Sequence, residues 1–328
     1  MAFDFEYDKM KEELHKIKPK RVLVQLPEGI KQKAFEVKKE IEELGIEVIF
    51  SGETAWGGCC ISAPEAKIVG ADLIIHFGHA KFIESNFPVL YMEIPDEIDL
   101  SELLEQSLEK LAEYFVIGLS YSIQHKHDVE KIKEFYENHG KEIILSEKKG
   151  FAAYSGHIVG CEYGGLKIIQ DKVDAFLIIG NNFHSMGASL AVEKPVILLD
   201  IYNNWVTNME GIRDKILKQR IVAIDKFKHA KKVGIIIEIK PGQKFGSGKI
   251  IKKRLENAGK EVVVITMNEI TKDKLANFYD IKNFVSLACP RIAVDDFGKY
   301  EQNIVTYKEA LIAIGEKDLN EEIKKGLI

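Results

Sequence analysis

Three stretches decide the fold of this chain: Glu43-Leu44-Gly45-Ile46-Glu47-Val48-Ile49-Phe50, Asn138-His139-Gly140-Lys141-Glu142-Ile143-Ile144-Leu145 and Asn257-Ala258-Gly259-Lys260-Glu261-Val262-Val263-Val264. In each, a helical pattern stops at a glycine and an apolar, β-branched run begins one or two residues later. Glycine supplies the left-handed position that closes a helix. A short continuous apolar run suits a strand covered on both faces.

The stretches before the glycines are amphipathic. Ala34, Val37, Ile41 and Leu44 recur at three- and four-residue spacing with Lys and Glu between them, and Val129, Ile132 and Tyr136 do the same in the second copy. Residues 21–26, 114–119 and 233–239 read as a strand before each helix, and 73–77, 176–180 and 284–288 as a further strand after each glycine stretch. A fourth strand is expected only in the first two copies, at 89–94 and 196–201. Alternating strands and helices mean parallel sheets with right-handed crossovers. The expected fold is α/β: three similar domains, each a small parallel sheet flanked by helices, arranged around a central cluster. The divisions fall at 1–108, 109–227 and 228–328, with a charged helix at 215–231 as the last link.

The 328 residues are 46% hydrophobic and 30% charged, ample for a buried core. No apolar run approaches the roughly 18 residues of a membrane helix. The start Met1-Ala2-Phe3-Asp4-Phe5-Glu6-Tyr7 lacks the basic start and apolar core of a secretion signal, so a cytoplasmic location is expected. The net charge of −5 argues against direct nucleic-acid binding. Four scattered cysteines do not make a disulfide framework and point to metal or redox chemistry.

In parallel sheets, ligands bind beyond the carboxyl ends of the strands. Cys59, in Trp56-Gly57-Gly58-Cys59-Cys60, and Cys161, in His157-Ile158-Val159-Gly160-Cys161, lie in matching loops after the second strands of their units. Cys289, in Ala288-Cys289-Pro290-Arg291, follows a strand directly. Each unit thus offers one thiol at the edge where sites form. A four-iron cluster held by three thiolates keeps one iron open to a substrate. A zinc ion with an open position is the competing metal reading, although zinc sites more often carry a close C-x2–4-C pair. Single cysteines are otherwise commonly small core residues. Cys60 is expected to point away from Cys59 and merely pack.

Further polar residues sit at the same edge: Gln25 and Glu28 in Gln25-Leu26-Pro27-Glu28-Gly29, Gln243 in Lys240-Pro241-Gly242-Gln243-Lys244, and His79 and His184 after the third strands. Glu53, Asp295 and Asp296 are loop-borne carboxylates of the kind that usually face solvent. The glycine-rich run 242–249 has one residue too many for a phosphate loop, and Ile250 stands where Ser or Thr should bind magnesium, so ATP binding is not expected there.

These motifs carry a resemblance. Arg21-Val22-Leu23-Val24-Gln25-Leu26-Pro27-Glu28-Gly29, Gly52-Glu53 leading to Trp56-Gly57-Gly58-Cys59-Cys60, Ala66-Lys67, Gly70-Ala71-Asp72 and His76-Phe77-Gly78-His79 resemble segments of the archaeal 2-(3-amino-3-carboxypropyl)histidine synthases of diphthamide biosynthesis. Cys161 and Ala288-Cys289-Pro290-Arg291 occupy the places of that family's second and third cluster cysteines. Trp56 stands where tyrosine is common. The resemblance spans nearly the whole chain. It implies a homodimer, a 4Fe–4S cluster held by Cys59, Cys161 and Cys289, and noncanonical radical use of S-adenosylmethionine.

The implied reaction breaks the bond from sulfur to the methionine γ-carbon. It releases methylthioadenosine and transfers the 3-amino-3-carboxypropyl group to imidazole C2 of a histidine in elongation factor 2, with an electron donor as a further partner. Conventional radical enzymes carry C-x3-C-x2-C on one loop, which this chain lacks. Gln25, Glu28, His79, Gln243 and Arg291 are the candidates to hold the cofactor or position the incoming histidine, Arg291 by a bidentate grip on the methionine carboxylate. Two rivals share the plan: a quinolinate-synthase-like 4Fe–4S dehydratase, and a non-catalytic zinc- or cluster-binding protein.

Overall fold

The computed structural model describes residues 3–295 and 297–328; Asp296, one of the loop carboxylates above, lies outside them. Thirteen strands form three sheets among the described residues. The first holds β1 (Arg21–Gln25), β2 (Glu47–Phe50), β3 (Leu73–Phe77) and β4 (Val89–Met92) in the order β2-β1-β3-β4. The second holds β5 (Val116–Tyr121), β6 (Glu142–Leu145), β7 (Ala175–Gly180), β8 (Val196–Asp200) and β9 (Trp205–Asn208) in the order β6-β5-β7-β8-β9. The third holds β10 (Lys232–Glu238), β11 (Glu261–Met267), β12 (Asn283–Ser286) and β13 (Asn303–Thr306) in the order β11-β10-β12-β13. All pairings are parallel except that of β8 with β9. The mixed α/β class and the repeated sheet are therefore as the sequence indicates.

The three glycine stops behave as expected: Gly45, Gly140 and Gly259 have φ of 75°, 72° and 79°. The lysine after two of them adds a second lock. Lys141 Nζ donates to the carbonyls of Leu111 and Tyr114, and Lys260 Nζ to those of Phe227, Lys228 and Ala230, so each ties the glycine stop to the carbonyl end of an earlier helix, Ser101–Lys110 and Glu210–His229 respectively. The first copy has Ile46 there, buried instead. Another device recurs at the strand starts. Asp72 accepts the backbone N–H groups of Lys20 and Arg21, and Asp174 those of Phe115 and Val116.

Core volume is exchanged between neighbouring strands from copy to copy. Gly118 of β5 pairs with Phe176 of β7, and Gly234 of β10 with Phe284 of β12; a Cβ on either glycine would run into the ring. The equivalent pair in the first sheet is Leu23 with Ile74. Small beside large and medium beside medium fill the same space, the kind of volume-conserving swap that cores tolerate. The flanking helix Ala34–Glu42 buries Val37 and Ile41 completely against the first sheet.

The structure corrects some boundaries. The third sheet has a fourth strand, β13, which the sequence reading omitted, and the second has the antiparallel β9. The strand expected at 114–119 runs two residues later, because Tyr114 is still in the turn after the preceding helix, donating its N–H to Leu111. The charged helix spans Glu210–His229.

That helix delivers Arg220 into the interior, where it is 1% exposed. Its Nε and Nη2 donate to both carboxylate oxygens of Glu309 at 2.7 and 2.6 Å, and its guanidinium also reaches the carbonyls of Ala293 and Ile304. Ala293 belongs to the short helix that follows Cys289, so this buried pair anchors the third cysteine's loop. Removing one member of a buried pair strands the other charge. Arg220→Leu should therefore cost about 3–5 kcal/mol in urea unfolding; a loss below about 1 kcal/mol would mean that the pair anchors nothing.

Candidate functional site

The carboxyl ends of the three sheets converge on one cavity of about 380 Å³. Its lining takes Trp56, Gly57, Gly58 and Cys59 from the loop after β2, and His79 from the turn after β3. Phe151, His157 and Cys161 come from the loop after β6, and Asn181, Phe183 and His184 from the segment after β7. Gln243 follows β10, and Cys289 and Arg291 follow β12. One cysteine per sheet thus reaches the same space. Among the described residues no three His, Cys, Asp or Glu side chains gather tightly enough for a single metal ion. The three thiols ring the cavity instead.

The loops are held together across the sheets. Gly242 donates its N–H to the Cys59 carbonyl at 3.0 Å, and a Cβ on Gly242 would lie 2.5 Å from the Cys59 Cα. Only a glycine permits that approach. A Cβ on Gly160 would run into the Phe183 ring, and the Arg291 guanidinium lies 3.2 Å from the centroid of that ring. Phe183 therefore ties the Cys161 loop to the Cys289 loop through a cation–π contact. Phe82, Phe151 and Phe245, one from each unit, also meet: the first two stack at 4.2 Å, and Phe245 packs edge-on at 6.5 Å from Phe151.

Of the candidate residues, His79, Gln243 and Arg291 line the cavity with the three cysteines. Gln25 and Glu28 do not. Gln25 is buried behind it, donating to the Cys60 carbonyl and Ser62 Oγ and accepting from Ser62 N–H. Glu28 pairs with Lys31 and accepts the Ala55 N–H. Glu53 accepts from Asn268 at the junction of the first and third units. Arg291 spends its Nε on Asp295 at 2.6 Å.

Cys60 departs from expectation. Its sulfur lies 3.7 Å from that of Cys59 rather than turned away. The reason is local: residues 57–60 form a tight turn closed by Cys60 N–H to the Gly57 carbonyl, so successive side chains do not alternate as in a strand. The Gln243 amide bridges this pair of sulfurs to Glu238. One end lies 3.3 and 3.1 Å from the Cys59 and Cys60 sulfurs, the other 2.6 and 2.8 Å from the Glu238 oxygens. An ionised Glu238 turns the NH₂ toward itself; a protonated Glu238 beside thiolates turns it toward sulfur. Burial raises Glu238 to about 7 against the opposing pull of Lys240, so both arrangements are within reach near neutrality.

Burial pushes the Cys161 thiol up, with Cys289 adding to it, and pushes Cys289 up to about 12. Alone, these groups stay protonated. A cationic cluster reverses that by supplying the charge the protein withholds, and the all-sulfur donor set suits iron–sulfur ligation. His157 and Phe183 are site residues that the sequence reading missed. His157 was visible only as a neighbour of Cys161, and an apolar ring carries no chemical signature.

The comparisons with known proteins fit this geometry. The family model of diphthamide synthesis proteins matches residues 26–324. The chain belongs to the diphthamide synthesis family. It is 31% identical to the 2-(3-amino-3-carboxypropyl)histidine synthase of Pyrococcus horikoshii over 96% of this chain and 92% of that protein. It is 26% identical to 2-(3-amino-3-carboxypropyl)histidine synthase subunit 1 of Saccharomyces cerevisiae, over 95% and 75% of the two chains. The crystal structure of Dph2 from Pyrococcus horikoshii with 4Fe–4S cluster superposes with a TM-score of 0.89 at 30% identity, covering 97% of this chain and 93% of that one. Family membership decides against the quinolinate-synthase-like alternative. Among the described residues no helix is long and apolar enough to cross a membrane.

The cavity imidazoles give a test. Burial lowers His79 and His157 to about 4 and His184 to about 3. The unfolded chain, with ordinary histidines near 6.5, takes up protons first on acidification. Each group therefore costs stability progressively as pH falls from about 6.5 toward 4, and none above about 7. We expect a lower urea midpoint at pH 5 than at pH 7, and a smaller difference in His157→Gln. An unchanged difference in that variant would show that His157 is not held neutral in the fold.

Proposed function

We propose that this family member transfers the 3-amino-3-carboxypropyl group of S-adenosylmethionine to imidazole C2 of a histidine in elongation factor 2, releasing methylthioadenosine. The observation that carries the reading is the meeting of Cys59, Cys161 and Cys289, one from each sheet, at a single cavity. In it the three cysteines hold a 4Fe–4S cluster, which when bound supplies the electron that splits the sulfur–γ-carbon bond. Three protein ligands leave one coordination position for the co-substrate.

The chain's own residues bind and orient. Arg291 keeps its terminal nitrogens free of the Asp295 contact, and its planar fork matches the methionine carboxylate. Packing against Phe183 holds the guanidinium in place. Gln243 touches the Cys59 sulfur and tunes it through its amide dipole. Gln25 and Glu28 support the site from behind, through Cys60, Ser62 and Ala55. The apolar, aromatic wall keeps water from a reactive alkyl radical. The same reading includes a homodimer in the cytoplasm, served by an electron donor.

The test is product analysis. Anaerobic, dithionite-reduced protein given S-adenosylmethionine and elongation factor 2 should release methylthioadenosine and add the aminocarboxypropyl mass to one histidine, and alanine at Cys59, Cys161 or Cys289 should abolish both. Arg291→Ala should raise the KM for S-adenosylmethionine about 10–100-fold with the cluster retained, the loss of a charge-assisted bidentate contact. A fully loaded protein that releases 5′-deoxyadenosine, or cleaves nothing, sinks the proposal.

A further inference from the structure

Resting on the reading above, the structure assigns a proton acceptor to the transfer step. Replacing the C2 hydrogen of an imidazole by carbon requires that hydrogen to leave, and the cavity holds three imidazoles. We propose that His79 Nε2 takes the C2 proton of the acceptor histidine, and that Gln25 and His76 are the positioning residues that keep this nitrogen free of a proton.

The argument follows the hydrogen bonds inward. The Gln25 amide is fixed by three partners: its nitrogen donates to the Cys60 carbonyl at 2.9 Å and Ser62 Oγ at 3.1 Å, and its oxygen accepts the Ser62 N–H at 3.2 Å. That oxygen also faces His76 Nδ1 at 3.5 Å, a long contact that nonetheless calls for an N–H there. His76 is fully buried and neutral, because desolvation holds its pKa well below the ordinary range. A neutral imidazole with its proton on Nδ1 presents a lone pair on Nε2. His76 Nε2 lies 3.0 Å from His79 Nδ1, so His79 donates from Nδ1. His79 is itself neutral, and its remaining nitrogen, Nε2, is left as an acceptor at the cavity wall.

The other two imidazoles have the opposite polarity. His157 Nδ1 accepts the Ala153 N–H at 3.1 Å, so its proton sits on Nε2. His184 Nδ1 is buried without a partner, and an orphaned acceptor is tolerated better than an orphaned donor, which places its proton on Nε2 as well. Of the three imidazoles that line the cavity, the bare nitrogen of His157 is taken by Ala153 and that of His184 is buried, which leaves His79 Nε2 as the acceptor.

The step balances. The alkyl radical forms a carbon–carbon bond at C2, leaving one unpaired electron in the ring. The ring returns one electron to the cluster, matching the one consumed in cleaving S-adenosylmethionine, and its C2 proton goes to His79 Nε2. Aromaticity is restored. A weak base suffices, because the oxidised adduct is a strong carbon acid and its loss of a proton regains the aromatic ring. The Glu28 carboxylate, which favours the charged form of His79, steadies the resulting imidazolium.

The first test needs no cluster. Long-range ¹H–¹⁵N correlation spectra of the metal-free protein should show His79 protonated at Nδ1 and bare at Nε2, with His157 the reverse, and His76→Leu should mix the His79 tautomers. His79 protonated at Nε2 in the parent protein overturns the assignment. The second test splits the reaction in His79→Gln loaded with cluster. Transfer to elongation factor 2 should fall about 10²–10⁴-fold, the usual worth of a general base. Methylthioadenosine release should fall far less, because cleavage of S-adenosylmethionine precedes removal of the C2 proton. Parallel loss of methylthioadenosine and transfer would make His79 a co-substrate contact and overturn its role as base. Absence of methylthioadenosine from the loaded parent protein would instead bring down the underlying reaction.

Discussion

A buried thiolate needs a compensating cation, and that requirement governs the architecture of this protein. Desolvation drives Cys161 and Cys289 strongly toward the protonated form, and the nearby Cys289 adds to it for Cys161. No surface loop would impose this; it follows from closing three sheets over one cavity. The cost becomes an asset only when a cationic cluster binds, because the protein then exchanges protons for iron. Every long-range tie described above serves this convergence. Gly242 lies on the Cys59 backbone, Phe183 on the Cys161 loop, and the Arg220–Glu309 pair behind the Cys289 loop.

The fold was legible in the sequence wherever a backbone necessity selected a residue type. Gly45, Gly140 and Gly259 need positive φ, and the β-branched runs after them do form strands, but at the sheet edges, where Val263 and Val264 stay exposed instead of being covered on both faces. The reading faltered where tertiary packing set the outcome. β13 is four residues long, and only its pairing with β12 makes it a strand. β9 carries an exposed Trp205 and turns antiparallel at the sheet edge, where no buried alternation marks it.

The site divides the same way. Cys59, Cys161 and Cys289 were legible because thiols at three carboxyl edges make a pattern. His79, Gln243 and Arg291 followed from their loops. Cys60 was misjudged because alternation was assumed where the backbone makes a turn. His157 and Phe183 were overlooked because their importance lies in contacts, that of His157 with Ala153 in its own loop and that of Phe183 with Arg291 of the third unit. Gln25 and Glu28 lie at the expected edge, with their side chains bonded to Cys60, Ser62 and Ala55 behind the cavity lining. Sequence position defines the edge of a sheet, and only packing defines depth behind it.

The account turns on the three cysteines holding a cluster with one open iron, and Mössbauer spectroscopy of the ⁵⁷Fe-loaded protein tests that directly. Cluster ligation by three thiolates predicts about four irons per chain. One of them should change its isomer shift on addition of S-adenosylmethionine while the other three do not. Four irons that remain equivalent and indifferent to S-adenosylmethionine, or a protein that takes up zinc and no iron, would contradict it.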